Sequence, residues 1–258
     1  MSLEALGPYA TLSPWDHRYA VSHPKLHATW SRYLSEAASL RYQLQVEAAL
    51  VAGFEEVGLA PRGAGERVAQ ATARVDPAAV AQEEERTRHA VRALVNCLAR
   101  EAGPELAPWI HLGATSSDIT ETARSLQYRE SLDGFLLPQL VELLSVWVEL
   151  AEREAATPQI GRTHGQHAVP ITFGFTMALY VERLGERIEE LRRARDRLVG
   201  KLTGAVGTYN ALSLLVGDPQ DFERRVLARL GLEPAPVTSQ ILPPEPFADL
   251  FHVLTSTF

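Results

Sequence analysis

Phe173-Gly-Phe-Thr-Met-Ala-Leu-Tyr-Val-Glu-Arg-Leu-Gly-Glu-Arg-Ile-Glu-Glu-Leu-Arg-Arg-Ala-Arg-Asp-Arg-Leu-Val-Gly-Lys-Leu202 is the stretch whose reading decides the fold class. Its apolar positions Met177, Tyr180, Leu184, Ile188, Leu191, Leu198 and Leu202 keep near-heptad spacing, and Arg195 is the one interruption. The opposite face carries Glu182, Arg183, Glu186, Arg187, Glu189 and Arg193. One helix of this length would run roughly 45 Å at about 1.5 Å per residue, far beyond the globular average of about 11–12 residues. Helices this long bury their seam in a multi-helix bundle, often across subunits.

Working outward, the helical period persists. Residues 118–156 read as helix, bent at Pro138, and Lys25 to Val57 repeats apolar side chains three and four apart (Leu26, Trp30, Tyr33, Ala37, Leu40, Leu44, Ala48, Val51). Short helices follow the break at 59–65 and reach about Arg100. Ala102-Gly-Pro and Ala107-Pro-Trp then mark a boundary, because the residue before proline is pushed out of the helical region. With almost no strand signal and no internal repeat, the fold class is all-α. The expected division is an N-terminal helical domain over 1–107 and the first part of a long-helix bundle over 108–258. Pro246 to Phe258 sets Phe247, Leu250, Phe251, Leu254 and Phe258 at helical spacing without a glycine or cationic cap, so this helix reads as interrupted.

Composition narrows the function classes. The chain has 258 residues, 46% of them hydrophobic, so it can bury a core and does not read as disordered. A net charge of −7 argues against a general nucleic-acid binder, since phosphate backbones need a cationic face. Cys97 is the single cysteine, which excludes an internal disulfide and fits a reducing compartment. The N-terminus lacks a signal-peptide pattern, and no run approaches the ~18 uninterrupted apolar residues of a membrane helix. The expected location is cytoplasmic.

Two clusters can carry chemistry. In His111-Leu-Gly-Ala-Thr-Ser-Ser-Asp-Ile-Thr-Glu, Asp118 and Glu121 have capping-box spacing, and Thr115, Ser116 and Ser117 sit beside a helix start that favours an anion. Plain N-capping is the alternative, and a carboxylate cradle the sharper reading. In Gly161-Arg-Thr-His-Gly-Gln-His-Ala-Val-Pro, His164 and His167 suit acid/base work near neutral pH. They could equally be structural, hydrogen-bonded loop histidines. A zinc site is disfavoured by the lone cysteine and the lack of an obvious third ligand. His89, in Arg86-Thr-Arg-His, could be a plain surface residue. Arg18-Tyr19 offers a cation beside a ring, suited to a phosphate, and Gly204-Ala-Val-Gly207 reads as a helix-ending turn.

Taken in order, these motifs resemble the fumarase/aspartase superfamily, whose members eliminate fumarate or a close relative from a succinyl group. Ser13-Pro-Trp-Asp-His-Arg-Tyr, Thr87-Arg-His, Gly113-Ala-Thr-Ser-Ser-Asp, Gly161-Arg-Thr-His-Gly-Gln-His-Ala and Gly204-Ala-Val-Gly-Thr-Tyr look most like the adenylosuccinate lyases. The resemblance implies His164 as the general acid that protonates the departing purine nitrogen and His89 as a substrate-positioning group. Thr115 and Ser116 would hold the succinyl carboxylates, Arg18 and Tyr19 the nucleotide phosphate, and Gln240 the succinyl portion. Arg88 and Thr163, inside the matching motifs, count with the substrate-binding residues. It implies no metal or organic cofactor, a small-molecule nucleotide substrate, no membrane, and a homotetramer whose active sites are shared between subunits. Two positions depart from the pattern: Ala90 stands where the family usually has aspartate, and Ile241-Leu-Pro-Pro-Glu-Pro stands where it often has a basic stretch. The family's Gly-Ser-Ser-Met-Pro loop, bearing the catalytic serine base, has no counterpart in these residues, so this chain alone is expected to be inactive. A carboxymuconate cycloisomerase-like or argininosuccinate lyase-like enzyme, or a non-catalytic fragment, are the alternatives.

Overall fold

The computed structural model describes residues 18–257, so Ser13–His17 of the first motif lie outside the described residues. After α1 (Arg18–Ser22), Pro24 opens α2 (Pro24–Leu34), where its missing N–H costs nothing. The helical stripe over 25–57 is carried by two helices. Ser35 leaves the helical conformation, and its hydroxyl accepts the Ala38 N–H at 3.1 Å to start α3 (Glu36–Glu56). Then come α4 (Ala64–Thr72), α5 (Pro77–Thr87), capped by Asp76, and α6 (Ala90–Ala102), capped by His89. α7 (Ser116–Ser131) is followed by a π-helical turn over Leu132–Leu136 and by α8 (Leu137–Arg153). Pro138 cannot donate to a carbonyl one turn back, so the helical ladder slips ahead of it.

The described residues also contain strands, which the sequence did not announce. β1 (Pro158–Thr163) and β2 (Gln166–Thr172) form an antiparallel hairpin, with Thr163 paired to Gln166. The two-residue turn is His164-Gly165, with φ of 51° and 72°. Positive φ at both positions matches the right-handed twist of paired strands, as in a type I′ turn. The expected loop is therefore a hairpin, and no period-two pattern announced it because Pro158–Thr163 and Gln166–Thr172 are mostly exposed and do not alternate apolar with polar. The fold remains all-α.

α9 (Phe173–Asp196) starts at a Thr172 cap and ends six residues before the expected Leu202. Its 24 residues span about 36 Å. Gly200 instead bridges in parallel to Pro234, donating its N–H to Glu233 O and accepting that of Ala235, each at 2.9 Å. These backbone bonds replace those a helical continuation would have made. The remaining helices are α10 (Leu212–Leu215), α11 (Pro219–Ala228) and α12 (Glu245–Thr257).

The chain divides into two units, residues up to Ser131 with Val199–Pro243, and Leu132–Leu198 with Pro244 onward. The expected division point at 107/108 lies inside the first unit, because α7 packs on α3 and shares its core. In the first unit α3 is the hub. Leu44, Leu50, Val51 and Phe54 bury one face against α4, α6 and α11, with the Phe54 and Phe222 rings 4.9 Å apart. Tyr42 and Val46 bury another face against Ile119, Ala123 and Leu126 of α7 and Leu227 of α11. Each fully buried large side chain contributes on the order of 1.5–3 kcal/mol. In the second unit α9 lies against α8 and α12, burying Leu184, Ile188, Leu191 and Ala194. Val141, Val146, Phe175, Leu179 and Phe251 of this unit are exposed. By length and composition, one helical run, Ser116–Arg153, is long and apolar enough to cross a membrane, with mean hydropathy 1.4 over 18 residues. Glu142 and Glu149 lie within it.

Candidate active site

The hydroxyl-rich segment meets α7 differently from the sequence reading. The helix begins at Ser116, two residues before Asp118, and the Asp118 carboxylate reaches back to accept the Thr115 N–H at 2.9 Å. Asp118 is thus the acid at the third helical position of a capping arrangement, and Thr115 precedes the first turn. Glu121 pairs with Arg124 at 2.9 Å and takes no part in the cap. Ser116, at the first position of a 16-residue helix, presents its hydroxyl where unpaired N–H groups and the dipole favour negative charge.

His89 arrives at the same place from α6. Its Nδ1 accepts the Arg92 N–H at 3.2 Å, so the neutral ring carries its proton on Nε2. That Nε2 lies 3.3 Å from Ser116 Oγ. Two motifs 27 residues apart in sequence therefore meet through their side chains. The bond to His89 Nδ1 comes from the Arg92 backbone and makes no use of the side chain at 90, where alanine stands. Arg88 ends α5 in the left-handed conformation (φ 54°), its N–H bonded to Glu84 O at 2.7 Å, and its side chain is exposed.

Beneath the segment lies a buried polar network. Lys201 and Asp118 are both fully buried and form an ion pair. Asp118 also accepts the Gly204 N–H, at 3.1 Å to Oδ2. The Lys201 N–H and C=O are both satisfied by the Thr122 hydroxyl, at 2.9 and 3.0 Å. Next to this pair, Glu223 accepts the Leu202 N–H at 2.6 Å and the Tyr209 hydroxyl. Burial pushes the Glu223 carboxyl above its usual range, against the opposing hydrogen bonds from Tyr209 and Leu202. Burial and the neighbouring Glu223 likewise raise the Tyr209 phenol. One carboxylate, Asp118, thereby ties the hydroxyl segment to the glycine turn. Gly207 in that turn has φ 80°, and a Cβ there would lie 2.1 Å from Thr238 O. The Thr203 and Thr238 hydroxyls, 2.6 Å apart, join the turn to the segment that carries the exposed Gln240.

His164 and Thr163 belong to the second unit. His164 stands at the hairpin tip, exposed and in the left-handed conformation, and Thr163 is the last residue of β1. Arg18 and Tyr19 lie on α1, both exposed, with the Tyr19 ring 6.2 Å from that of His23. Among the described residues, no group of three or more His, Cys, Asp or Glu is placed to hold a metal ion. The sequence reading missed Glu47, Lys201, Tyr209 and Glu223. Glu47 carried a signal, because it falls on the helical stripe of Leu40, Leu44 and Val51 where an apolar residue belongs.

The sequence and the architecture are similar to those of known proteins. A family model described as a lyase matches residues 17–254. An adenylosuccinate lyase from Methanocaldococcus jannaschii is 34% identical over 251 residues, covering 96% of this chain and 52% of that protein. One from Pyrococcus abyssi is 37% identical over 245 residues, covering 93% and 52%. The chain spans about half the length of the curated relatives it matches. The 3-carboxy-cis,cis-muconate lactonizing enzyme of Pseudomonas putida superposes with a TM-score of 0.75 at 27% identity, covering 89% of this chain and 53% of that one. With its all-α architecture and a family match over nearly all of its length, the chain belongs to the lyase family of the fumarase/aspartase superfamily.

Proposed function

We propose that the protein carrying this chain is a lyase of the adenylosuccinate lyase type, eliminating fumarate from adenylosuccinate to give AMP and from SAICAR to give AICAR. The observation that carries the reading is the 3.3 Å approach of His89 Nε2 to Ser116 Oγ at the start of α7. A donor ring, a hydroxyl and a helix N-terminus make a suitable seat for a succinyl carboxylate, with Thr115 adjacent. In the elimination, a base removes the Cβ proton and the electrons are held as an aci-carboxylate. The C–N bond then breaks, with His164 supplying a proton to the departing nitrogen. Thr115 and Ser116 act on the charge that develops on the carboxylate, where electrostatic stabilisation is most effective. The base is the serine of a loop that these 258 residues do not carry. Arg18 and Tyr19 are the cation and ring for the phosphate end, Gln240 contacts the succinyl portion, and Arg88 and Thr163 count among the substrate-binding residues. The chemistry asks for no metal or organic cofactor.

The reading extends to a cytoplasmic homotetramer with shared sites, in which the long helices join one bundle. The exposed apolar side chains of α8, α9 and α12 support it, since a bundle would cover them. A cycloisomerase acting on a carboxymuconate is the second reading, favoured by the 27% likeness to the Pseudomonas enzyme. Absorbance assays on the full-length protein separate the two. Adenylosuccinate turnover at about 1–10³ s⁻¹ is expected, whereas carboxymuconate turnover alone would install the second reading.

A further inference from the structure

Glu47 sits midway along α3 with a side chain that is 0% exposed. A buried carboxylate is costly unless hydrogen bonds fill its oxygens. Both oxygens of Glu47 are filled by one residue. The His111 backbone N–H donates to Oε2 at 2.9 Å, and the His111 ring places Nδ1 2.7 Å from Oε1. His111 has φ 60°, a conformation that non-glycine residues rarely hold without support. It stands four residues ahead of Thr115. From the other end, Asp118 holds the Thr115 N–H, so the segment between is clamped by two buried carboxylates.

We propose that Glu47 is a positioning residue: it locks the left-handed turn at His111 with Nδ1 protonated, and through that turn it sets where Thr115 and Ser116 present their hydroxyls. An apolar side chain of similar volume would fill the core as well. It would leave two His111 donors unsatisfied and the turn free to relax. The inference rests on the carboxylate-holding role proposed for those hydroxyls, and its test keeps the two apart.

In ¹⁵N spectra of the wild-type full-length protein, His111 should show a protonated Nδ1. A bare Nδ1 would overturn the proposal without any variant, which covers the case that substitution prevents folding. In Glu47→Gln the amide nitrogen faces one of the two N–H donors, so one bond is lost. Hydrogen exchange should then quicken across 111–117 while α5 and α11 keep their wild-type rates. kcat/KM on adenylosuccinate should fall by on the order of 10²-fold, the usual effect of an ångström-scale misplacement. Unchanged exchange at 111–117, or faster exchange throughout the unit, would mean that Glu47 only maintains the core. Local loosening with undiminished kcat/KM would sever the turn from the site. If the wild type turns over no succinyl substrate, the functional reading fails, and spectra and exchange still decide on Glu47.

Discussion

Replacing Lys201 with Met would strip Asp118 of its counter-ion in a buried place. Both side chains are 0% exposed, and after the change Asp118 keeps only the Thr115 N–H at 2.9 Å and the Gly204 N–H at 3.1 Å. Breaking one side of a buried pair costs about 3–5 kcal/mol, because a charge is left uncompensated. Removing both charges, in Lys201→Met with Asp118→Asn, costs less, since only ordinary hydrogen bonds of about 0.5–1.5 kcal/mol each are disturbed. The double variant should therefore be the more stable of the two. Native-state hydrogen exchange at the residue 201 amide, bonded to the Thr122 hydroxyl at 2.9 Å, reads the local opening free energy. Exchange should accelerate by at least ~10²-fold in the single variant, at about 1.4 kcal/mol per tenfold, and partly recover in the double. If the single variant exchanges within tenfold of wild type, or the double is worse, Asp118 is not charged and dependent on Lys201, and the clamp described for the site is wrong.

Other measurements bear on separate links. His164→Gln in the full-length protein should lower the chemical step by on the order of 10²–10⁴ while substrate still binds; a wild-type kcat would make His164 a structural turn residue. Mixing an inactive His164 variant with a Ser116 variant should restore part of the activity, since some shared sites would receive both intact segments; no recovery, with a monomeric parent by sedimentation, would end the tetramer reading. Glu223 has a folded pKa raised above 4.5, chiefly by burial, so the folded state keeps a proton that the unfolded chain releases. Stability should therefore fall as pH rises from about 4.5 through the raised value, and Glu223→Gln should flatten that slope in urea unfolding midpoints. Gly207→Ala should destabilise the turn by on the order of 1–3 kcal/mol or more, given φ 80° and a Cβ 2.1 Å from Thr238 O, visible as a lower unfolding temperature.

The sequence by itself determined the helices and the clusters of chemistry. Stripes such as Leu184, Ile188 and Leu191 repeat with the helical period, and burying an apolar face is a local demand that neighbouring residues already express. The segments around 111–121 and 161–170 stood out because hydroxyls, histidines and glycines crowd into them, while the roles expected of His89, Thr115, Ser116 and His164 came only from the resemblance. What only the tertiary structure decided are the long-range pairings. Nothing local to His89 shows that its ring meets Ser116, 27 residues later, and nothing within 201–204 shows that Asp118, more than 80 positions earlier, waits beneath it. α9 stops at Asp196 rather than Leu202 for the same reason. Leu198 and Leu202 satisfy the helical stripe and are buried, but the backbone at 200–204 bonds to Glu233, Thr122 and Asp118, and those partners lie far away in sequence. A periodic pattern records which side chains avoid water. Which backbone groups find partners, and which buried charges find each other, is settled only when distant segments meet.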